Sequence, residues 1–570
     1  MRILLIAGAF NSLTQRVHAE LGERGHHVGV ELVTRATPLL EAVRRHAPDL
    51  IVAPMLKTPV PREVWSAYTC LIVHPGPVGD RGPSSVDWAV HLGAARWGVT
   101  VLQANDEMDA GDIWAAADFP VPGVGKSDLY RNEIADGAVE ALLTAVARVA
   151  SGTHRPQPQA ALPDAARPGR PRPPFRQELR RIDWRSDPTD TVVRTLRAAD
   201  SQPGVRDELL GECWYLHGGH PEDTLTGRPG ELLATRGGAI CRATADGAVW
   251  IPELRAPRAP GEPRTPKLPA TLALGDRLPR LPELPAPLGP GADGPRTWSD
   301  IRYREDGPAG FLEFSFPGGA MSTDHCRRLL AAYRHACARP TSVLVLGGRR
   351  DFFSNGIHLH VIEAADDPAE ESWANINAMD DLVHAVLTTT DRLVVAALGG
   401  NAAAGGAMLA LAADEVWCRS AVVLNPHYRL MGLYGSEYWT YTLLGRAGPE
   451  AAGQLMARAL PMTAAAGARL GLVDRILDCT AQDFAARTAR LALRLASAPA
   501  TQARIATKKA SRERDEAERP LAAYREEELA RMHRTFFDPD APYHALRRAF
   551  VRKEPAAGAL AHLDTSPAGA

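Results

Sequence analysis

The chain has 570 residues, which is too long for one hydrophobic core, so two or three domains are expected. Its 65 Lys and Arg residues nearly balance its 67 Asp and Glu residues, which gives no electrostatic reason to expect nucleic acid or an anionic membrane as partner. Seven scattered cysteines without a C-x-x-C pair argue against a disulfide framework, and no apolar run reaches the roughly 20 residues of a membrane span, so a cytoplasmic protein with small-molecule ligands is expected.

Two Pro-rich segments divide the chain. Prolines cannot donate to a strand ladder, so both segments are predicted to be extended connectors without regular pairing. The predicted divisions are a first α/β domain (1–152), a linker (153–175), a small module (176–254), a second linker (255–295), a second α/β domain (296–554) and a flexible tail (555–570).

The first domain alternates strands and helices, beginning with the apolar strand "RILLIAGAF". Such alternation predicts a mostly parallel sheet with a ligand site at the carboxyl ends of its strands. The segment "AFNSLTQR" follows the first strand and opens a helix, where backbone N–H groups favour an anion. The candidate ligand contacts there are Asn11, Ser12, Gln15 and Arg16. A plain helix cap by Ser12 is the alternative hypothesis.

A histidine ends another strand of this domain, in "CLIVHPGPVGDRGPSS". His74 stands at the predicted ligand edge, and a loop with Asp80 and Arg81 follows it. For Asp80 and Arg81 two interpretations stay open, either a solvated turn or a support of the site that would contact the ligands.

The later segments predict two further folded parts. Short Gly-rich strands after a capped helix predict a small β-rich module, and strand and helix alternate again from "GFLEFSF" onward. The last stretch, from Asp483 to about Ala549, is predicted to be helical and charged, and its run "KKASRERDEAER" to be a solvated face.

The stretch from His74 to Ile113 resembles the core of formyltransferases that use 10-formyltetrahydrofolate. His74-Pro75, Gly98-Val99-Thr100 and Asp109-x-Gly111-x-Ile113 match that family's motifs in order and spacing. The resemblance implies a Rossmann-like formyltransferase domain followed by a formyltransferase C-terminal-like module. It also implies that His74 and Asp109 handle the protons of formyl transfer.

Two positions depart from the formyltransferase pattern. Ile72 stands where that family has asparagine, and Leu102 stands where many members have histidine. Loss of one donor from a preorganised site costs on the order of 10²–10³ in rate, so an acceptor other than an ordinary amine is predicted.

A second pair of motifs, "RRDFFSNGIHL" and "ALGGNAAAGGAMLALAAD", resembles the crotonase superfamily of acyl-CoA enzymes. By that resemblance the backbone N–H groups of Ile357 and Gly405 form an oxyanion hole, and Gly406 supports the turn that binds coenzyme A. Met408 occupies the position of the hydratase glutamate, which disfavours enoyl-CoA hydration because a thioether cannot move a proton.

The segment "LNPHYRLMGLYGSEYWTYTLLG" lies where that superfamily places its second catalytic region. Glu437 is the predicted acid/base. The residues predicted to orient it or to donate protons are His427, Tyr428, Tyr434 and Tyr438. His358 and His360 in "HLH" are predicted to point to opposite faces of a strand, and no metal is expected.

The fusion of both halves resembles the HypX/HoxX family of hydrogenase-maturation proteins, with "HPGPVGDRGPSS" and "GLYGSEYW" as distinguishing stretches. The resemblance implies that formyl passes from 10-formyltetrahydrofolate to coenzyme A and that formyl-CoA is split to CO and CoA for a [NiFe]-hydrogenase centre. Other hydrogenase-maturation proteins are then possible partners. The alternatives are a formyl-CoA hydrolase, formyl transfer to another acceptor, or a non-catalytic scaffold that carries folate and CoA.

Overall fold

The computed structural model describes residues 1–33, 38–289 and 295–554. These residues form two compact units, one containing Met1–Ile182 and Arg194–Arg206, the other containing Asp183–Val193 and the chain from Asp207 onward. The predicted tail (555–570) lies outside the described residues, and the domain boundaries drawn from composition stay a prediction. None of the described helices has the length and apolar character needed to cross a bilayer.

The first unit is built on a six-stranded sheet in the order β2-β1-β3-β4-β5-β6. Three of its five pairings are parallel, which agrees with the predicted α/β fold. The strands are β1 (Arg2–Ala7), β2 (His27–Leu32), β3 (Leu50–Met55), β4 (Cys70–His74), β5 (Arg96–Gln103) and β6 (Ile113–Pro120). The helices are α1 (Ser12–Glu23), α2 (Leu39–His46), α3 (Arg62–Trp65), α4 (Ser85–His91), α5 (Lys126–Leu129) and α6 (Ala135–Ser151).

The central strands β1 and β3 are almost continuously buried, because the sheet is covered on both faces. The proline-rich segment 153–175 runs along this unit. Gln157 bridges Ile113, and Pro171 bridges Arg81. The segment thus brings side chains to the end of β4, where His74 lies.

A small β-rich module follows helix α7 (Thr189–Ala198) and consists of two four-stranded sheets, β10-β11-β12-β9 and β14-β13-β8-β7. Its strands are β7 (Val205–Leu209), β8 (Glu212–His217), β9 (His220–Glu222), β10 (Leu232–Arg236), β11 (Ala239–Ala243), β12 (Ala248–Ile251), β13 (Glu253–Arg255) and β14 (Lys267–Pro269). The prediction that residues 255–295 lack regular pairing was wrong, because β14 pairs with β13 and helix α8 (Ala270–Leu274) follows. Pro269 is tolerated because it ends a short strand and directly precedes a helix.

The remaining chain carries a six-stranded sheet, β15-β16-β17-β18-β20-β23, and a three-stranded sheet, β19-β21-β22. The strands are β15 (Ile301–Asp306), β16 (Ala309–Phe314), β17 (Val343–Gly347), β18 (Leu393–Leu398), β19 (Ala402–Ala403), β20 (Glu415–Arg419), β21 (Val423–Asn425), β22 (Met462–Thr463) and β23 (Arg475–Leu477). The helices are α9 (Thr323–Cys337), α10 (Leu359–Ala364), α11 (Pro368–Leu387), α12 (Gly405–Leu411), α13 (Trp439–Ala447), α14 (Pro449–Arg458), α15 (Ala464–Arg469), α16 (Phe484–Ala496), α17 (Thr501–Glu518), α18 (Leu521–Phe537) and α19 (Pro542–Arg552).

Helix α11 was not predicted from the sequence. It packs against α9, α10, α12 and α18, so residues on several of its sides are buried and its apolar periodicity is weak. The charged run from Lys508 to Arg519 lies mostly in α17 and is not wholly solvated, because Lys508 Nζ bonds Asp414 and Asp515 accepts from Tyr441.

Candidate functional site

His74 is the last residue of β4 and has 4% of its surface exposed. Its Nε2 lies 2.9 Å from Asp80 Oδ2, and its Nδ1 lies 3.4 Å from Asp109 Oδ1. The imidazole is therefore held between two carboxylates, one from the loop after β4 and one from the loop before β6.

Each carboxylate is fixed by further contacts. Asp80 is almost fully buried and also accepts from Arg172, a residue of the proline-rich segment. Asp109 has a positive φ of 55°, and its Oδ2 accepts from the Gly82 N–H at 3.1 Å. Gln159 donates to the backbone oxygen of Asp109 at 3.0 Å. Arg172 and Gln159 could not be predicted as site residues from the sequence, because both belong to a segment with the composition of an extended connector.

The charge of His74 follows from these neighbours. Burial alone would lower the pKa of His74, but the hydrogen bonds and charges of Asp109 and Asp80 outweigh burial and raise the pKa to about 9. Burial opposes ionisation of Asp109, yet the hydrogen bond and charge of His74 lower the pKa of that carboxyl. At neutral pH the site therefore holds an imidazolium beside carboxylates. This cation stabilises the fold fully below about pH 6.5, and the contribution is lost as the pH rises through about 9.

Asp80→Asn is expected to lower the pKa of His74 by about one pH unit or more, because a neutral amide cannot balance the imidazolium. The measurement is a pH titration of the ring by NMR with ¹⁵N-labelled histidine. Glu107→Gln is the matched control, since it removes an exposed carboxylate that pairs with Arg81 and not with His74. An unchanged His74 titration in Asp80→Asn would contradict the assignment of Asp80.

The loop after His74 is thus not simply a solvated turn. Asp80 supports His74, whereas Arg81 is partly exposed and pairs with Glu107. The two departures from the formyltransferase pattern face each other, because Ile72 and Leu102 are register partners on β4 and β5. Two polar side chains of that family are therefore replaced by one apolar cross-strand pair.

The alternative hypothesis of a helix cap by Ser12 at the N-terminus of α1 was wrong. Asn11 is the N-cap and its side chain accepts from the Thr14 N–H at 3.0 Å, while Ser12 is the first helical residue. Gln15 Nε2 donates to the Phe10 backbone oxygen at 3.0 Å. Arg16 Nη1 lies 2.5 Å from Asp136, so its guanidinium already has an anionic partner. Their contact with a ligand stays a prediction.

The second site lies where the loop before α10 meets the start of α12. A Cβ added to Gly356 would lie 3.1 Å from Gly405 N, so the backbone that carries the Ile357 N–H passes directly beside that of Gly405. Among the residues that the structure describes, neither N–H has a hydrogen-bond acceptor. Gly406 packs on Ser354, where a Cβ would lie 2.1 Å from the backbone oxygen. This geometry fits a pair of donors for a carbonyl oxygen.

Glu437 faces the same glycines. A Cβ added to Gly405 would lie 2.0 Å from Glu437 Oε1, so only glycine fits beside the carboxyl group. Tyr428 donates its hydroxyl to Glu437 Oε2 at 2.7 Å, and the Ser436 N–H donates to the same oxygen at 3.0 Å. Burial, followed by the charge of Asp380, raises the pKa of Glu437 to about 8.

The other predicted partners of Glu437 point elsewhere. His427 Nδ1 is 2.8 Å from the Asn425 backbone oxygen. The Tyr434 ring packs at a tilt of 59° against Trp439 and lies under Arg531. The Tyr438 hydroxyl faces Arg525 and not the Glu437 carboxyl group. Of the four candidate partners, Tyr428 is the one that contacts the Glu437 carboxylate directly.

Met408 and the "HLH" histidines do not form polar sites. Met408 is completely buried in the apolar core. The prediction of a strand at His358 and His360 was wrong, because His358 is the N-cap of α10 and His360 lies within that helix. Within the described ranges, no three His, Cys, Asp or Glu side chains form a group suited to a metal ion.

Both halves of the chain match models of known protein families. Family models for "Formyl transferase" match residues 33–146, for "Formyl transferase, C-terminal domain" residues 174–260, and for "Enoyl-CoA hydratase/isomerase" residues 320–555. The hydrogenase maturation factor HoxX of Bradyrhizobium diazoefficiens is 49% identical over 97% of this chain and 95% of its own length. The crystal structure of HypX from Aquifex aeolicus in complex with tetrahydrofolic acid has a TM-score of 0.93 at 42% identity, covering 100% of both chains. A methionyl-tRNA formyltransferase of Variovorax paradoxus is 26% identical over 38% of this chain and 67% of its own.

Proposed function

This chain belongs to the HypX/HoxX family of hydrogenase maturation factors, and on that premise we propose that it produces carbon monoxide in two steps. The site around His74 transfers formyl from 10-formyltetrahydrofolate to coenzyme A. The site around Glu437 splits formyl-CoA into CO and CoA, and the CO becomes a ligand of the [NiFe]-hydrogenase centre. The tetrahydrofolic acid complex of the Aquifex aeolicus relative supports folate as the formyl carrier.

In the first step the thiol sulfur of CoA attacks the formyl carbon and the bond from that carbon to the folate nitrogen breaks. The thiol loses a proton and the folate nitrogen gains one, so the site must both accept and donate. The ionised Asp109 carboxylate suits acceptance, and the His74 imidazolium suits stabilisation of the developing oxyanion and donation to the leaving nitrogen. The apolar pair Ile72 and Leu102 is consistent with a thiol in place of an amine acceptor.

In the second step the formyl C–H bond gives its proton to the Glu437 carboxylate. The C–S bond breaks with its electron pair on sulfur, CO leaves, and the thiolate takes the proton back from Glu437. The N–H groups of Ile357 and Gly405 bind the carbonyl oxygen, and Tyr428 holds the carboxylate in place. Because Met408 supplies no group that activates water and Glu437 is buried, cleavage without hydrolysis is favoured.

The observation that carries this proposal is the position of Glu437. Its carboxyl group lies against Gly405, beside the backbone of Gly356 and Ile357. A single acid/base therefore stands next to the two N–H donors of a crotonase-type site. This placement suits a reaction that needs only one proton moved from carbon to sulfur.

The test is anaerobic incubation of the full chain with 10-formyltetrahydrofolate, with and without CoA. Gas is trapped on deoxyhaemoglobin, and formate is assayed in parallel. Carboxyhaemoglobin that appears only with CoA is the expected result. Formate without CO would overturn the proposal in favour of a hydrolase, and stoichiometric binding without either product would favour a scaffold.

A further inference from the structure

The turn that carries Glu437 has an unusual backbone. Glu437 and Tyr438 have φ values of 62° and 58°, so two consecutive residues with side chains adopt the left-handed region. L-residues other than glycine enter this region at an energetic cost, which surrounding contacts must offset. The contacts that hold this turn therefore decide where the Glu437 side chain points.

The first of these contacts comes from α11. Asp380 Oδ1 accepts from the Glu437 N–H at 2.8 Å, and the Ser436 hydroxyl lies 2.8 Å from Asp380 Oδ2. Asp380 is completely buried. One carboxylate thus binds the backbone and the neighbouring side chain on the N-terminal side of the turn.

The second contact comes from α18. Glu528 Oε2 accepts from the Tyr438 N–H at 2.9 Å, and its Oε1 accepts from the Thr440 N–H at 2.8 Å. The Tyr438 and Thr440 N–H groups lie at the start of α13 and have no acceptor within the helix, so a carboxylate is favourable there. Two buried carboxylates from two helices, Asp380 and Glu528, therefore accept hydrogen bonds from the consecutive N–H groups of Glu437 and Tyr438.

We propose that Asp380 is a positioning residue for Glu437, which fixes the left-handed turn through the Glu437 N–H and places a second negative charge beside the Glu437 carboxyl group. This inference rests on the proposed decarbonylation at Glu437. The Asp380 carboxylate binds the Ser436 hydroxyl and the Glu437 N–H, so its effect acts through Glu437 and not on the substrate.

The electrostatic surroundings favour this role. Burial raises the pKa of Asp380 to about 7, and burial together with Asp380 raises that of Glu437. Arg525 opposes the effect, because its Nε lies 3.8 Å from Asp380 Oδ2. Among the described residues, the other titratable groups that face this pair are Asp381 on α11, Cys326 on α9, Glu528 on α18, and Tyr428 and Tyr438 on either side of Glu437. Repulsion by a second buried carboxylate increases the proton affinity of Glu437, and a higher proton affinity favours removal of the formyl proton.

The experiment compares the full-length protein with its Asp380→Asn variant by infrared titration of carboxyl groups, with the Glu437 band assigned by its loss in Glu437→Gln. Removal of the Asp380 charge is expected to lower the pKa of Glu437 by about one unit or more. The acid limb of CO release from formyl-CoA should move to lower pH by the same amount. The expected kinetic change is a roughly tenfold or larger fall in kcat with KM within about twofold.

Glu370→Gln is the matched control, because it removes an exposed carboxylate from the first turn of the same helix. Asp380→Ser is measured alongside as a smaller variant without the charge, in case the Asn variant does not fold. An unmoved Glu437 titration in the folded variant would overturn the inference. The infrared readout needs no turnover, so absence of CO from the wild-type protein would refute the proposed function separately.

Discussion

Replacing Glu437 with Gln is expected to reduce CO release from formyl-CoA by about 10³-fold, within the range that positioned acid/base groups contribute. The amide keeps the size of the side chain and can still accept from Tyr428, but it cannot take the formyl proton. With 10-formyltetrahydrofolate and CoA as substrates, the variant should accumulate formyl-CoA. Chromatography of the CoA esters and trapping of CO on deoxyhaemoglobin measure both quantities.

The wild-type pH dependence gives a second check on Glu437. Its pKa is raised to about 8 by burial and by Asp380, so CO release should rise with pH as the carboxyl group ionises. Glu526→Gln is the control, because this residue is an exposed glutamate on α18. CO release at the wild-type rate from a folded Glu437→Gln protein would contradict the role of Glu437.

His74→Asn is expected to reduce formyl transfer from 10-formyltetrahydrofolate to CoA by about 10²-fold to 10⁴-fold. The variant loses the imidazolium that Asp80 and Asp109 hold, and with it the acid for the leaving nitrogen. It also leaves the buried Asp80 and the partly buried Asp109 without their shared cation, which costs on the order of 3–5 kcal/mol of stability. Thermal unfolding must therefore accompany the assay of formyl-CoA formation.

A rescue experiment separates lost chemistry from a lost fold. If the His74→Asn protein is folded, it should still release CO when formyl-CoA is supplied directly, because the His74 and Glu437 sites are built from different residues. His27→Asn is the matched control, since His27 is exposed on β2. Formyl-CoA synthesis at the wild-type rate by His74→Asn would contradict the assignment of formyl transfer to the His74 site. Failure of a folded variant to release CO from added formyl-CoA would contradict the assignment of the two steps to separate sites.

The residues at the first site that belong to local motifs were predicted from the sequence. His74 and Asp109 carry the formyltransferase spacing, and the structure brings them together at the end of β4. For Asp80 the sequence left two interpretations open, a support of the site or part of a solvated turn, because a loop aspartate next to Gly and Pro is equally typical of a solvated turn. Arg172 lies 92 residues from its partner Asp80, and no local pattern connects them.

At the second site the motifs predicted Gly405, Ile357 and Glu437, and the backbone geometry brings these residues together. The sequence could not decide among His427, Tyr428, Tyr434 and Tyr438, because a dense polar segment without its backbone path does not show which side chain faces the carboxylate. The left-handed turn at Glu437 and Tyr438 directs the Glu437 side chain toward the Tyr428 hydroxyl. Asp380 and Glu528 could not be predicted as site residues, because their helices carry no catalytic motif.

The sequence by itself determined the class of the protein, since the order of strands and helices and the spacing of short motifs are local properties of the chain. It indicated two α/β parts, a small β-rich module and two candidate sites. Only the tertiary structure decided which charged groups surround His74 and Glu437. The burial and charge partners that set a pKa come from segments far apart in sequence, such as Arg172 beside Asp80 and Asp380 beside Glu437.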